Sequence, residues 1–189
     1  MDLNLKDKVI IVTGGSKGIG GGITLALSKE KAIPIIIGRN KKSINSIMKV
    51  IKDLKLKADY AFAELTDSKE CEKAIDFIYK KYGQIDGLVN NAGINDGIGL
   101  KNGTSKQFID SINKNVTHYF QMAKLALPGL KKSKGSIVNI GSKVSYTGQG
   151  GTSGYAAACG ARNALTREWA VELINEEMIC RSKNISPII

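Results

Sequence analysis

The residues with the clearest capacity for chemistry are the eight of Thr13-Gly14-Gly15-Ser16-Lys17-Gly18-Ile19-Gly20. They follow an apolar run, Val9 to Val12, and precede Ile23-Thr24-Leu25-Ala26-Leu27, which reads as a helix. A strand, a glycine-rich turn and a helix in that order form a cradle for phosphate. Glycine lets the backbone bend tightly and approach a ligand closely. The helix N-terminus then presents unpaired N–H groups and partial positive charge to a pyrophosphate. Taken alone, such a turn is a weak signal, since glycines also mark ordinary turns. Further polar groups stand where other apolar runs end: Arg39-Asn40, Glu64, Asn90-Asn91-Ala92-Gly93 and Ser142.

The elements that must position these groups alternate along the chain. Val9–Val12, Ala32–Ile37, Ala58–Ala63, Ile85–Asn90 and Ser136–Ile140 read as strands. Their near-continuous hydrophobicity is that of strands covered on both faces in a parallel sheet. The first helix runs to about Lys31. Lys41–Lys55 carries Ile44, Ile47, Met48, Ile51 and Leu54 at helical spacing. Thr66 or Asp67 caps the next helix, whose apolar positions are Ala74, Ile75, Ile78 and Tyr79. After a glycine-bearing loop, Asn95 to Gly103, one long helical stretch spans about Ser105 to Lys132, with Pro128 kinking or ending it. A loop from Gly141 to Thr152 leads to a last helix, Tyr155 to about Ile174. This alternation predicts a doubly wound parallel α/β sheet of the Rossmann kind, with ligands at the carboxyl ends of the strands. A length of 189 residues suits a single domain, residues 1–189, and is too short for two ordinary ones.

The net charge of +11 raises the question of an acidic partner. The lysines are scattered over several helices (Lys41-Lys42, Lys80-Lys81, Lys131-Lys132-Lys134) and form no stripe. No nucleic-acid motif accompanies them, so they read as a solvated surface that also attracts anionic cofactors. Cys71, Cys159 and Cys180 are widely spaced and odd in number, without metal-ligand spacing, and His118 has no obvious partner. No metal is expected, and a reduced, cytoplasmic compartment fits. The N-terminus is too polar for a signal peptide, and no apolar run is long enough to span a membrane.

In their order these motifs resemble the short-chain dehydrogenase/reductase family, over essentially the whole chain. Thr-Gly-x-x-x-Gly-x-Gly at 13–20 matches its cofactor turn, and Asn90-Asn91-Ala92-Gly93 its motif after the fourth strand. Ser142 precedes Tyr155 by the thirteen residues usual for the family's catalytic pair, and Asn115 falls at its helix asparagine. The resemblance implies hydride transfer between a nicotinamide and a small alcohol or carbonyl compound. Tyr155 would donate or accept the proton, Ser142 would bond the substrate oxygen, and Asn115 would support a water and lysine relay. It also implies that Gly14, Ser16, Lys17, Gly18, Ile19 and Gly20 cradle the cofactor, that Glu64 and Leu65 border the adenine, and that Asn91, Ala92, Gly93 and Tyr155 line the nicotinamide-side ribose. The second strand ends without the acid that bonds an adenosine ribose diol; Arg39, with Lys17 nearby, suits a 2′-phosphate, which favours NADP over NAD. Gly-Gln-Gly-Gly-Thr-Ser-Gly-Tyr at 148–155 and Leu-Thr-Arg-Glu-Trp-Ala-Val-Glu at 165–172 look most like sugar or polyol dehydrogenases of the L-fucose dehydrogenase kind. Family members commonly pair as dimers or tetramers through the helices at about 105–132 and 155–174.

Two departures stand out. The family's lysine, four residues after the tyrosine, is Cys159 here. That lysine lowers the tyrosine pKa and bonds the nicotinamide ribose; a neutral thiol does neither well. Arg162 lies on the same helical face but starts about 10 Å along the axis from Tyr155; compensation by its charge is one possibility, and a small buried residue is the expectation for Cys159 itself. At the other end, Arg181-Ser182-Lys183-Asn184-Ile185-Ser186-Pro187 sits where a sixth strand belongs, with two polar residues at expected apolar positions, and only Ile188 and Ile189 follow. The expectation is a C-terminally short member without the last strand and the substrate lid. The alternative to an active enzyme is a nicotinamide-binding protein, or a fragment, impaired in catalysis.

Overall fold

The apolar runs pair in register as a parallel sheet. In the computed structural model, which describes residues 2–185, they form β1 (Val9–Thr13), β2 (Ile33–Gly38), β3 (Asp59–Phe62), β4 (Gly87–Asn90) and β5 (Ser136–Ser142). A further strand, β6 (Ile179–Ile185), pairs along the whole of β5. The order is β3-β2-β1-β4-β5-β6, with every neighbouring pair parallel. The winding direction reverses between β1 and β4, which opens a crevice at their carboxyl ends.

Alternate residues of the strands feed two cores. Ile11, Ile35, Ile37, Leu88 and Ile137 pack on one face with Ile78, Met122, Leu130 and Trp169 from the helices there. Ile10, Val12, Val89 and Ile140 pack on the other with Ile23 and Leu27. The polar residues Arg181, Ser182 and Lys183 do not prevent β6 from forming. They are exposed, while Met178 just before the strand is buried and Cys180 packs against the first core. Residues 186–189, with Pro187, Ile188 and Ile189, lie outside the described residues.

Local chemistry sets the helix starts. Helix α1 (Gly18–Lys29) follows the glycine turn. Asn40 caps α2 (Lys41–Asp53) by accepting from Ser43 N–H. Of the two candidate caps for α3 (Ser68–Tyr82), Asp67 takes the part, accepting from Lys69 and Glu70 N–H. Thr104 and Gln107 close a capping box on α4 (Ser105–Ile112).

The expected single long helix is divided. A π-helical segment, Asn113–Thr117, separates α4 from α5 (His118–Ser133). Such wide turns break an otherwise regular ladder and recur at functional sites; this one holds Asn115. Pro128 does not end the helix but lies inside α5. The Tyr79 hydroxyl accepts from Gly129 N–H and donates to Ala126 O, which holds the backbone on either side of the proline. The glycine-rich loop begins later than expected, because β5 reaches Ser142, and it contains a short helix, α6 (Val144–Thr147). Helix α7 (Ser153–Glu172) completes the layer. No helix among the described residues is long and apolar enough to cross a membrane.

Candidate active site

The glycine turn is fastened to the switch point by side chains. Thr13 Oγ1 accepts the N–H groups of Asn91 (2.9 Å) and Ala92 (3.1 Å), and Asn91 Nδ2 donates back to Thr13 O (2.9 Å). Helix α1 sits against the turn so closely that a Cβ on Gly20 would lie 2.3 Å from Gly14 O. Gly14 and Gly18 take positive φ, 63° and 54°. Lys17, at the helix cap, makes no side-chain capping bond, and the first turn carries no acid. The N-terminal end of α1 therefore has the shape and polarity to accept a phosphate group.

From this cradle a cleft of about 890 Å³ runs across the carboxyl ends of the strands. It is bordered by Gly14, Ser16, Lys17, Gly18, Ile19, Gly20, Arg39, Glu64, Leu65, Asn91, Ala92 and Gly93, and at its other end by Ser142 and Tyr155. Every residue expected at the cofactor thus shares one cleft with the serine and tyrosine. Cradle, length and the basic residues Lys17 and Arg39 fit a nicotinamide dinucleotide. Asn115 stands behind the cleft, fully buried.

Arg39 and Glu64, expected to face the nucleotide separately, form an ion pair with each other. The second Glu64 oxygen accepts from the N–H and hydroxyl of Thr66. Burial works against the carboxylate, but hydrogen bonds from Arg39 and Thr66 outweigh it and hold Glu64 below the usual carboxylate range.

At the other end of the cleft, β5 delivers Ser142, whose Oγ accepts from Val144 N–H (3.3 Å) and which is almost fully buried. The first turn of α7 delivers Tyr155, half-buried, with Ser142 and Cys159 as polar neighbours of its hydroxyl. Burial pushes the Tyr155 pKa up and Cys159 adds to the rise; Arg162 and Ser142 pull it down without cancelling it. Cys159 is fully buried, and burial likewise keeps it a thiol beyond its ordinary range.

Arg162 fills the space beneath. Only 2% exposed, it donates from Nε to Asn115 O (2.7 Å), from Nη2 to Asn115 Oδ1 (3.3 Å) and from Nη1 to Ile140 O (3.3 Å). Its guanidinium lies 4.5 Å from the Tyr119 ring centre and 5.7 Å from that of Tyr155. The 10 Å start along the helix axis is overcome because helical side chains lean toward the N-terminus, here toward Tyr155. Asn115 Oδ1 also accepts Ile94 N–H (2.7 Å), and its Nδ2 donates to Ser111 O (2.9 Å). The asparagine expected to support a relay therefore holds an arginine. His118, beside it, bonds Lys114 O through Nε2 and leaves Nδ1 unpartnered. Burial, reinforced by Arg162, holds its pKa down to about 4, so it is neutral at pH 7.

Two groups that sequence reasoning passed over fix the helix. Asn90 Nδ2 donates to Asn139 Oδ1, Asn139 Nδ2 to Thr166 Oγ1, and Thr166 Oγ1 to Arg162 O, a buried chain from β4 through β5 to α7. The available signal was Asn139 inside an otherwise apolar strand, since a buried amide requires partners.

Comparison with known proteins agrees with this geometry. The family model for short chain dehydrogenases matches residues 8–187. The 3-oxoacyl-[acyl-carrier-protein] reductase FabG of Thermotoga maritima is 33% identical over 90% of this chain and 70% of its own length. The L-fucose dehydrogenase of Rattus norvegicus is 32% identical over 87% of this chain and 60% of its own length. The crystal structure of Cj0485 dehydrogenase superposes with a TM-score of 0.92 at 37% identity, covering all of this chain and 72% of that one. The cradle, the switch point and these matches agree: the chain belongs to the short-chain dehydrogenase family and is an oxidoreductase by that membership.

Proposed function

We propose that the protein transfers hydride between NADP(H) and a small carbonyl or alcohol compound, with sugars the first class to test. The observation that carries this reading is the meeting of Ser142 and Tyr155 at one end of a cleft whose other end is the phosphate cradle. A nicotinamide held at this cleft would supply the hydride to the carbonyl carbon, or take it from the alcohol. Ser142 donates its hydroxyl hydrogen bond to the substrate oxygen and orients it toward Tyr155. In reduction Tyr155 gives its phenolic proton to that oxygen, leaving a phenolate that solvent reprotonates; in oxidation the proton travels the other way. Asn91, Ala92 and Gly93 border the nicotinamide-side ribose. Lys17 and Arg39 favour NADP, Arg39 to the extent that Glu64 releases it. The matched relatives include reductases and dehydrogenases of different substrates, which supports the reaction type more than the substrate. Free Cys71, Cys159 and Cys180 suit a reducing cytoplasm, and a homodimer or homotetramer is the expected assembly.

The test is a titration with NADPH and NADH followed by nucleotide fluorescence, with turnover of a sugar and carbonyl panel in the same samples. Tighter binding of NADPH with turnover abolished in Tyr155→Phe is the expected result. Binding without turnover of any compound would instead favour a cofactor-binding protein impaired in catalysis.

A further inference from the structure

A buried guanidinium without a counter-charge is costly. Among the described residues, Arg162 has no carboxylate within ion-pair distance. It is held by the backbone carbonyls of Asn115 and Ile140, the Asn115 side-chain oxygen, the Cys159 sulfur and the face of Tyr119, all of them neutral. Those dipoles make the position tolerable but leave a full positive charge in the floor of the cleft. The partner it lacks is an anion, and the group beside it that becomes one during turnover is Tyr155.

We infer that Arg162, three residues further along α7, supplies to Tyr155 the positive charge that Cys159 at the lysine position lacks. This rests on the reading of Tyr155 as the acid/base. The substitution of Cys159 and the presence of Arg162 belong together: a small thiol leaves room for the guanidinium, whose Nη1 lies 3.9 Å from Sγ. The replacement is also partial in kind. An arginine keeps its protons throughout the working pH range, and the Asn115 carbonyl is already engaged by Nε. Arg162 therefore stabilises the phenolate but passes no proton on, and Tyr155 exchanges its proton through the cleft. The groups that face Tyr155 are Arg162 and Cys159 from α7, Ser142 from β5 and Tyr119 from α5; His118, next to Arg162, is uncharged at pH 7. Among them Arg162 is the cation.

The test reads the ionisation of Tyr155 directly and needs no substrate. Tyrosinate absorbance of the wild-type protein minus that of Tyr155→Phe, followed through alkaline pH, gives the Tyr155 titration. The same difference in an Arg162→Leu background should move upward by about one to two pH units. Arg162→Lys, which keeps a cation, should move less. An unchanged midpoint in a folded Arg162→Leu protein overturns the inference. Because that variant removes four buried hydrogen bonds, a second one guards against misfolding: Cys159→Lys with Arg162→Val returns the charge to the lysine position. Its Tyr155 midpoint should fall at or below that of the wild type; a midpoint raised instead overturns the inference. Turnover separates the two levels of the argument. Wild-type turnover in Tyr155→Phe would defeat the acid/base reading, whereas loss of turnover in Tyr155→Phe together with an unmoved midpoint in Arg162→Leu would defeat only the role given to Arg162.

Discussion

Alcohol oxidation by this protein should be strongly pH-dependent where carbonyl reduction is not. The perturbation is pH alone. Tyr155 must be a phenolate to accept a proton and a phenol to donate one. Burial, and then Cys159, lift its pKa above the ordinary tyrosine value of 10.0, and the opposing pull of Arg162 and Ser142 falls short. Fewer than about one Tyr155 in a thousand is ionised at pH 7 when the pKa exceeds 10. Each added pH unit multiplies that fraction about tenfold until the midpoint is reached. Initial rates of alcohol oxidation with saturating NADP should therefore climb about a hundredfold between pH 7 and pH 9. Carbonyl reduction, which needs the phenol, should stay nearly level over the same interval. Both directions are measured on one substrate pair by nicotinamide absorbance. An oxidation rate already level at pH 7 would mean that the tyrosine is ionised there, and the account of its surroundings would be wrong.

Three further outcomes are expected. In Gly20→Ala the new methyl meets Gly14 O, so NADPH binding should be lost in fluorescence titration and stability should fall by about 2 kcal/mol in urea unfolding; retention of both would show that the turn can shift. Glu64→Gln frees Arg39 from its ion pair, so NADPH affinity should rise by up to about fivefold while NADH affinity holds, the range expected of a pair whose arginine is largely exposed; an equal change for both nucleotides would count against a 2′-phosphate role for Arg39. His118 has a folded pKa depressed to about 4 from 6.5. The unfolded chain therefore takes up a proton first, and stability falls as pH drops from about 6.5 toward 4, by about 3 kcal/mol in total. Urea unfolding of His118→Asn should lack that part of the loss, and an identical pH dependence would refute the assignment.

The fold was legible because its signals are local and redundant. The apolar runs at Val9, Ala32, Ile85 and Ser136 could be little but buried strands, and Gly18 and Gly20 mark where β1 turns into α1. The divided helix at Asn113–Thr117 was not legible, since a π turn leaves the apolar spacing almost as it was. Whether the helix continues past Pro128 was not legible, because that depends on Tyr79, distant in sequence, which holds the backbone beside the proline. The glycine turn, Asn91 to Gly93, Ser142 and Tyr155 could be placed at the cleft from motif order, whereas Lys114, His118 and Gln149, which also border it, could not. The Arg39–Glu64 pair could not, because it depends on the ends of β2 and β3 being neighbours. The reach of Arg162 was underestimated by counting axial rise alone, without the backward lean of a long helical side chain.

The seat of Arg162 also bears on how such a site could have arisen. Consider an ancestor with lysine at 159 and an apolar residue at 162. Gaining the arginine first would crowd two cations into one buried pocket. Losing the lysine first would leave the tyrosine with none. Each single step is unfavourable on this reasoning, whereas the two changes together keep one cation in the pocket, so the pair should be inherited as a unit. A survey of descendants by position 159 alone would then sort this lineage with inactive proteins and overlook the buried guanidinium that stands one helical turn further along α7.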